Sequence, residues 1–215
     1  CPYVPPHPWN VDFPHLMLRA KAIKHRNGDT TAAAKLLSNT RAIGRLASIP
    51  IVVEAVNWGN RNATVRGAME KTLGVDRNAQ VPDYDSHTGR KRLKRLRADG
   101  VAIPAGPTTG KVALFITCYG DYNNPQMVED LAIVLRHNGV QVKLLKKEKC
   151  CGMPKLELGD LDSVEKYRNA NLPLLADAVD DGFDLIAPIP SCVLMFKQEL
   201  PLLFPDDAEI AKVRR

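Results

Sequence analysis

Val112-Ala113-Leu114-Phe115-Ile116-Thr117-Cys118 is a short apolar, β-branched run that ends on a cysteine. Such a run, with no polar alternation, predicts a strand buried on both faces, as in the middle of a parallel sheet. Downstream, Pro125 to Asn138 predicts a helix with Leu131, Val134 and Leu135 inward and Gly139 as its stop. Val140 to Leu145 predicts a second strand. Asp160 to Asp181 predicts a long helix carrying Leu172, Leu175, Ala176 and Val179 at helical spacing, with Pro173 as a point of kinking. Phe183 to Ala187 predicts a third strand, and Ser191 to Leu200 a last helix ended by Pro201. Strands alternating with helices imply a parallel sheet with right-handed crossovers.

The cysteines fall where such a sheet binds ligands. Cys118 follows the first strand, Cys150 and Cys151 the second, and Cys192 the third. All strand C-termini of a parallel sheet lie along one edge, so these sulfurs are expected to converge there. Each lies near the start of the next helix, where free N–H groups and the helix dipole favour thiolate. Lys146, Lys147 and Lys149 are expected to add positive charge, and Gly152 to permit close backbone approach. Gly152, Asp121 and Ser191 are the expected neighbours of the sulfurs. The residues themselves allow four readings: inert buried cysteines, an iron–sulfur site, a four-thiolate zinc site and a thiol–disulfide exchange site.

Residues 1–86 are expected to be mostly helical. Asp12 is placed to cap a helix from Phe13 to about Arg26 that buries Leu16, Ala20 and Ile23, with Asn27-Gly28 ending it. A second helix is expected from Thr30 or Thr31 through Leu46, stopped near Pro50, and a third from Val65 to Leu73, closed by Gly74. Trp9 and Trp58 are expected as packing anchors. Residues 87–110 read as a linker, because a basic run (Arg90, Lys91, Arg92, Lys94, Arg95, Arg97) precedes Pro104, Gly106, Pro107 and Gly110. No nucleic-acid motif accompanies the basic run, so no nucleic-acid partner is expected. The third region is 111–215. Five cysteines in 215 residues, without a secretory signal, point away from a disulfide framework. No apolar run is long enough to span a bilayer. The start at Cys1-Pro2 and the end at Arg214-Arg215 suggest a fragment.

The segment Cys118…Cys150-Cys151-Gly152…Pro190-Ser191-Cys192 resembles the cysteine-rich (Cys-Cys-Gly) domain of heterodisulfide-reductase-type iron–sulfur proteins. Cys1-Pro2 is similar to the exit of a ferredoxin motif, whose last cysteine is followed by proline. Asp12-Phe13-Pro14-His15-Leu16 and Met69-Glu70-Lys71-Thr72-Leu73-Gly74 are similar to the C-subunit family of anaerobic glycerol-3-phosphate dehydrogenases. The fold class expected is α/β: a helical N-terminal region followed by a Rossmann-like, parallel-sheet cysteine-rich domain. The resemblance implies an electron-transfer subunit of a flavin-linked oxidoreductase. It would hold an iron–sulfur cluster, first of the 4Fe–4S type, with zinc as the alternative. Cys118, Cys150, Cys151, Cys192 and Cys1 would be ligands. The implied partners are a flavin-containing dehydrogenase subunit and membrane quinone, and the implied location is cytoplasmic, peripheral at the inner membrane face. One departure stands out: the family's Cys-x-x-Cys would put a cysteine at position 189, which here is Ile189.

Overall fold

The computed structural model describes residues 7–98 and 110–214. Cys1 lies outside them. The N-terminal part is helical: α1 (Phe13–Arg26), α2 (Ala32–Leu37), α3 (Thr40–Ala47), α4 (Val52–Arg61), α5 (Ala63–Leu73) and α6 (Gly89–Ala98). Then come β1 (Lys111–Leu114), α7 (Cys118–Tyr122), α8 (Pro125–His137), β2 (Gln141–Leu144), α9 (Met153–Leu158), α10 (Leu161–Asp180) and β3 (Asp184–Ile186). The chain closes with α11 (Pro190–Leu194), a π-helical turn (Met195–Glu199), α12 (Leu200–Leu203) and α13 (Ala208–Val213).

The fold class is the expected one, a helical region followed by a parallel-sheet region. The sheet order is β2-β1-β3, with both pairings parallel. Val112 pairs with Val142 on one side and Asp184 on the other, so β1 is central. Its side chains alternate between two cores. Ala113 and Phe115 pack with Leu172, Leu175, Met195 and Phe196, while Leu114 and Ile116 pack with Leu93, Val128 and Ala132. Phe115 meets Phe196 edge-on at 5.1 Å between ring centres, a favourable aromatic geometry.

Several sequence expectations are corrected by packing. The helix expected from Thr30 to Leu46 is two, α2 and α3, because Ser38 and Asn39 break it. The Ser38 hydroxyl donates to the Lys35 carbonyl, and the Asn39 N–H donates to the Leu36 carbonyl. Helix α4 was not expected. The basic stretch placed in a linker forms helix α6, with Leu93 buried against α8 and Arg92 paired with Asp85 and Glu129. Val134 is exposed, and the inward residues of α8 are Val128 and Ala132. Trp9 and Trp58 are more than half exposed and anchor no core. Pro201 does not end the last helix. Its ring crowds the preceding turn and it offers no N–H, and the wider π turn directly before it gives the chain room to continue.

Helix α1 has the expected bounds, with Asp12 capping it, but it presents a different face. Leu16 and Ile23 are exposed, and His15, Leu18, Ala22 and His25 turn inward. Ionic contacts decide the rotation. His15 Nδ1 lies 2.6 Å from Asp12, and its Nε2 lies 3.0 Å from buried Glu199, which the π turn delivers. A carboxylate at each ring nitrogen requires both to carry protons. Burial opposes the charge on His15, but the hydrogen bonds to Asp12 and Glu199 outweigh it and hold its pKa above the ordinary value.

Because the folded-state pKa is raised, this contribution is fully present below the unfolded value and is lost as pH rises through the folded one. His15→Gln is expected to cost about 1–2 kcal/mol below roughly pH 6.5, with the difference from wild type shrinking at higher pH. Urea unfolding over a pH series measures this, and a pH-independent difference contradicts it.

Candidate metal centre

The strands place the cysteines as follows. β1 runs into Thr117, which adopts φ +69°, a strained value for a β-branched residue. Thr117 caps α7, its hydroxyl accepting the Gly120 N–H at 3.0 Å, so Cys118 is the first residue of that helix. Cys150 and Cys151 lie beyond β2, directly before Gly152, whose φ of +102° turns the chain into α9. Only glycine adopts that conformation freely. Cys192 sits in α11 beyond β3. Cys150, Cys151 and Cys192 are buried and Cys118 is partly buried; all four are free thiols.

The structure brings these four together. Their sulfurs form a hydrogen-bonded row in the order Cys118, Cys150, Cys151, Cys192. Cys150 is the acceptor at the head of the row. Hydrogen bonds from Cys118 and Cys151, and one from the Gly152 N–H, hold its pKa down to about 3 against the opposing effect of burial. The same bond pushes Cys118 up, with burial adding to it, and Cys151 is pushed up by its bonds to Cys150 and Cys192 and by burial. The Thr40 hydroxyl lies 3.9 Å from the Cys150 sulfur.

The backbone of the vicinal pair is pinned by Asn171 of α10, which is fully buried. Its amide nitrogen donates to the Cys150 carbonyl at 2.8 Å, and its oxygen accepts the Lys149 N–H at 2.7 Å. The expected lysine charge is absent from the site: Lys146, Lys147 and Lys149 are exposed, and the inward residue of that stretch is Glu148. Positive potential comes instead from Arg41 of α3, which acts on Cys118 and on the nearby Tyr122 and Tyr167. Asn171, Arg41 and Thr40 were missed in the sequence because nothing local marks them.

A cavity of about 610 Å³ opens on the sulfurs. Thr117, Ile189, Ser191 and the four cysteines line one side, and Leu36, Leu37, Ile43, Val56 and Met69 of the N-terminal helices form an apolar wall opposite. Lys155 fastens that wall, reaching the Ser38 hydroxyl at 3.1 Å and the Asp160 carboxylate at 3.4 Å. Of the expected neighbours, Ser191 and Gly152 are at the site, whereas Asp121 is buried beneath it and paired with Arg90. Ile189 occupies the wall where a fifth sulfur would sit.

The family model for the CCG cysteine-rich domain matches residues 112–197, the segment that holds all four sulfurs. The chain carries a cysteine-rich domain of the CCG family. In Escherichia coli K12, the C-type subunit of anaerobic glycerol-3-phosphate dehydrogenase is 30% identical over 197 residues, covering 90% of this chain and 47% of that protein. Lactate utilization protein A of an Exiguobacterium species is 31% identical over 96 residues, covering 45% of this chain and 38% of that protein. Its counterpart in Bacillus thuringiensis is 28% identical over 102 residues, covering 47% and 41%. The chain thus spans about half the length, or less, of the curated relatives it matches. No solved structure matches it significantly.

A thiolate-bound group fits the donor set: four soft sulfurs, a backbone N–H and a hydroxyl directed at them, a nearby guanidinium and a cavity of ample size. Among the described residues, no three His, Cys, Asp or Glu side chains close around a single metal ion. Asn171→Ala leaves the Cys150 carbonyl and the Lys149 N–H without their partner. It is expected to destabilise the metal-free chain by about 2–4 kcal/mol, measured by denaturant unfolding. A loss under half a kcal/mol, on the order of an ordinary surface change, would contradict the pinning role.

Proposed function

We propose that this chain is an iron–sulfur electron-transfer subunit of a flavin-linked oxidoreductase, passing electrons toward a quinone or disulfide acceptor. The observation that carries the reading is the buried row of four sulfurs delivered by three parallel strand ends, within a CCG domain. The relatives named as a dehydrogenase subunit and a lactate utilization protein support an oxidoreductase setting. When bound, an iron–sulfur cluster, first of the 4Fe–4S type, would accept and release single electrons. Cys118, Cys150, Cys151 and Cys192 would hold it. The Gly152 N–H and the Thr40 hydroxyl direct hydrogen-bond donors at sulfur, which stabilises negative charge there. Arg41 offsets part of that charge, and the apolar wall keeps water from the sulfurs. The partner would be a flavin-containing dehydrogenase subunit, with the assembly peripheral at the cytoplasmic membrane face. Among the described residues, no helix is long and apolar enough to cross a membrane.

A second reading is a zinc-holding or cluster-free docking module. Ile189 favours it, because it removes a sulfur that the family pattern would supply. The sulfur row and the lack of three donors around one point favour the multi-iron reading over a single tetrahedral ion. Anaerobic reconstitution with iron and sulfide, followed by metal analysis and EPR of the reduced chain, distinguishes the two. Matched amounts of iron and acid-labile sulfide are expected, and both should fall sharply in Cys151→Ala. Stoichiometric zinc with no iron uptake overturns the proposal.

A further inference from the structure

Beneath the sulfur row, on the side away from the cavity, two carboxylates are almost wholly inaccessible: Asp121, 2% exposed, and Glu148, 1% exposed. Asp121 lies three residues after Cys118 and Glu148 two before Cys150. Both meet one side chain, Arg90 of α6. Its Nε is 3.2 Å from Asp121 Oδ2, and a terminal nitrogen contacts Glu148 Oε1. Its other terminal nitrogen reaches the Leu145 carbonyl, at the end of β2, at 3.4 Å. The Arg90 backbone N–H donates to Asp121 Oδ1 at 2.9 Å. The contact is close-packed: a Cβ added at Gly89 would lie 2.6 Å from the Gly120 carbonyl oxygen and 2.8 Å from Val128. Thus the start of α6 bears directly on the turn that carries Cys118.

Neither cysteine-bearing loop has enough regular structure to hold itself. Cys118 stands in a helix of five residues, and the chain from Leu145 to Cys151 is neither helix nor strand. A guanidinium fork has donors in several fixed directions, which an ammonium lacks. We propose that Arg90 is a positioning residue for the sulfur site, its fork setting the separation of Cys118 from the Cys150-Cys151 pair. The basic helix α6 is then a strut under the site. Metal ligands depend on such outer partners, whose loss commonly weakens binding about 10- to 100-fold.

The proposal rests on the four-sulfur reading above, and the test separates the two. The probes are cadmium alone, a soft ion that prefers thiolates, and iodoacetamide, with alkylation of each cysteine followed by mass spectrometry. Wild type, Arg90→Lys and the neutral triple variant (Arg90→Gln, Asp121→Asn, Glu148→Gln) are compared as full chains, with circular dichroism reporting the fold. Arg90→Lys keeps the charge and loses the fork. The triple variant removes the buried charges together, so folding survives without an unpaired carboxylate. Without metal, Cys118 is expected to alkylate faster in both variants than in wild type, while Cys192 is unchanged. With cadmium, wild type should protect all four cysteines, and the variants should bind it about 10- to 100-fold more weakly, losing protection first at Cys118. Folded variants with wild-type Cys118 rates and cadmium affinity overturn the positioning role. Failure of wild type to protect the four cysteines overturns the four-sulfur reading instead, and the metal-free rates still decide the role of Arg90.

Discussion

Strand β1 is hydrogen-bonded to a parallel neighbour on each edge and packed against side chains on each face. The position of every sulfur follows from that. Parallel pairing points all three strands the same way, so the chain leaves β1, β2 and β3 at one edge. Each exit carries a cysteine or the vicinal pair. Burial on both faces removes the freedom to slip, since a shift of one residue would exchange the two cores. Leu114 with Ile116, and Ala113 with Phe115, therefore hold the register on which the convergence of the thiols depends.

Charge is arranged in two layers around this edge. On the cavity side the sulfurs share protons along a row, with negative charge favoured on Cys150 and Arg41 nearby. On the far side Arg90 answers two buried acids and ties together the turns that carry Cys118 and Cys150. Removing one partner of a buried ion pair typically costs about 3–5 kcal/mol, so such an arrangement resists drift in loops that have little secondary structure of their own. Asn171 does the same for the backbone of the vicinal pair with neutral hydrogen bonds. The four sulfurs are thus held by elements on three sides: α6, α10 and the helices that wall the cavity.

The strands, the order of sulfurs along them and the long helices were legible in the amino-acid order. An apolar run without alternation, a capping Asp12 or Asp160, and a Gly74 closing a helix are local features whose physics acts within a few residues. The cysteine set was legible for the same reason, since each cysteine stands at a strand end. Long-range packing decided the rest. The inward face of α1 was set by His15 bridging Asp12 and Glu199, not by the spacing of Leu16, Ala20 and Ile23. The basic run became a packed helix because Leu93 meets Val128 and Ala132 across the sheet face. The charge beside the sulfurs came from Arg41, and the strut beneath them from Arg90, while the adjacent lysines face solvent. Those choices balance desolvation against pairing between residues far apart in the chain, and no local pattern carries that balance.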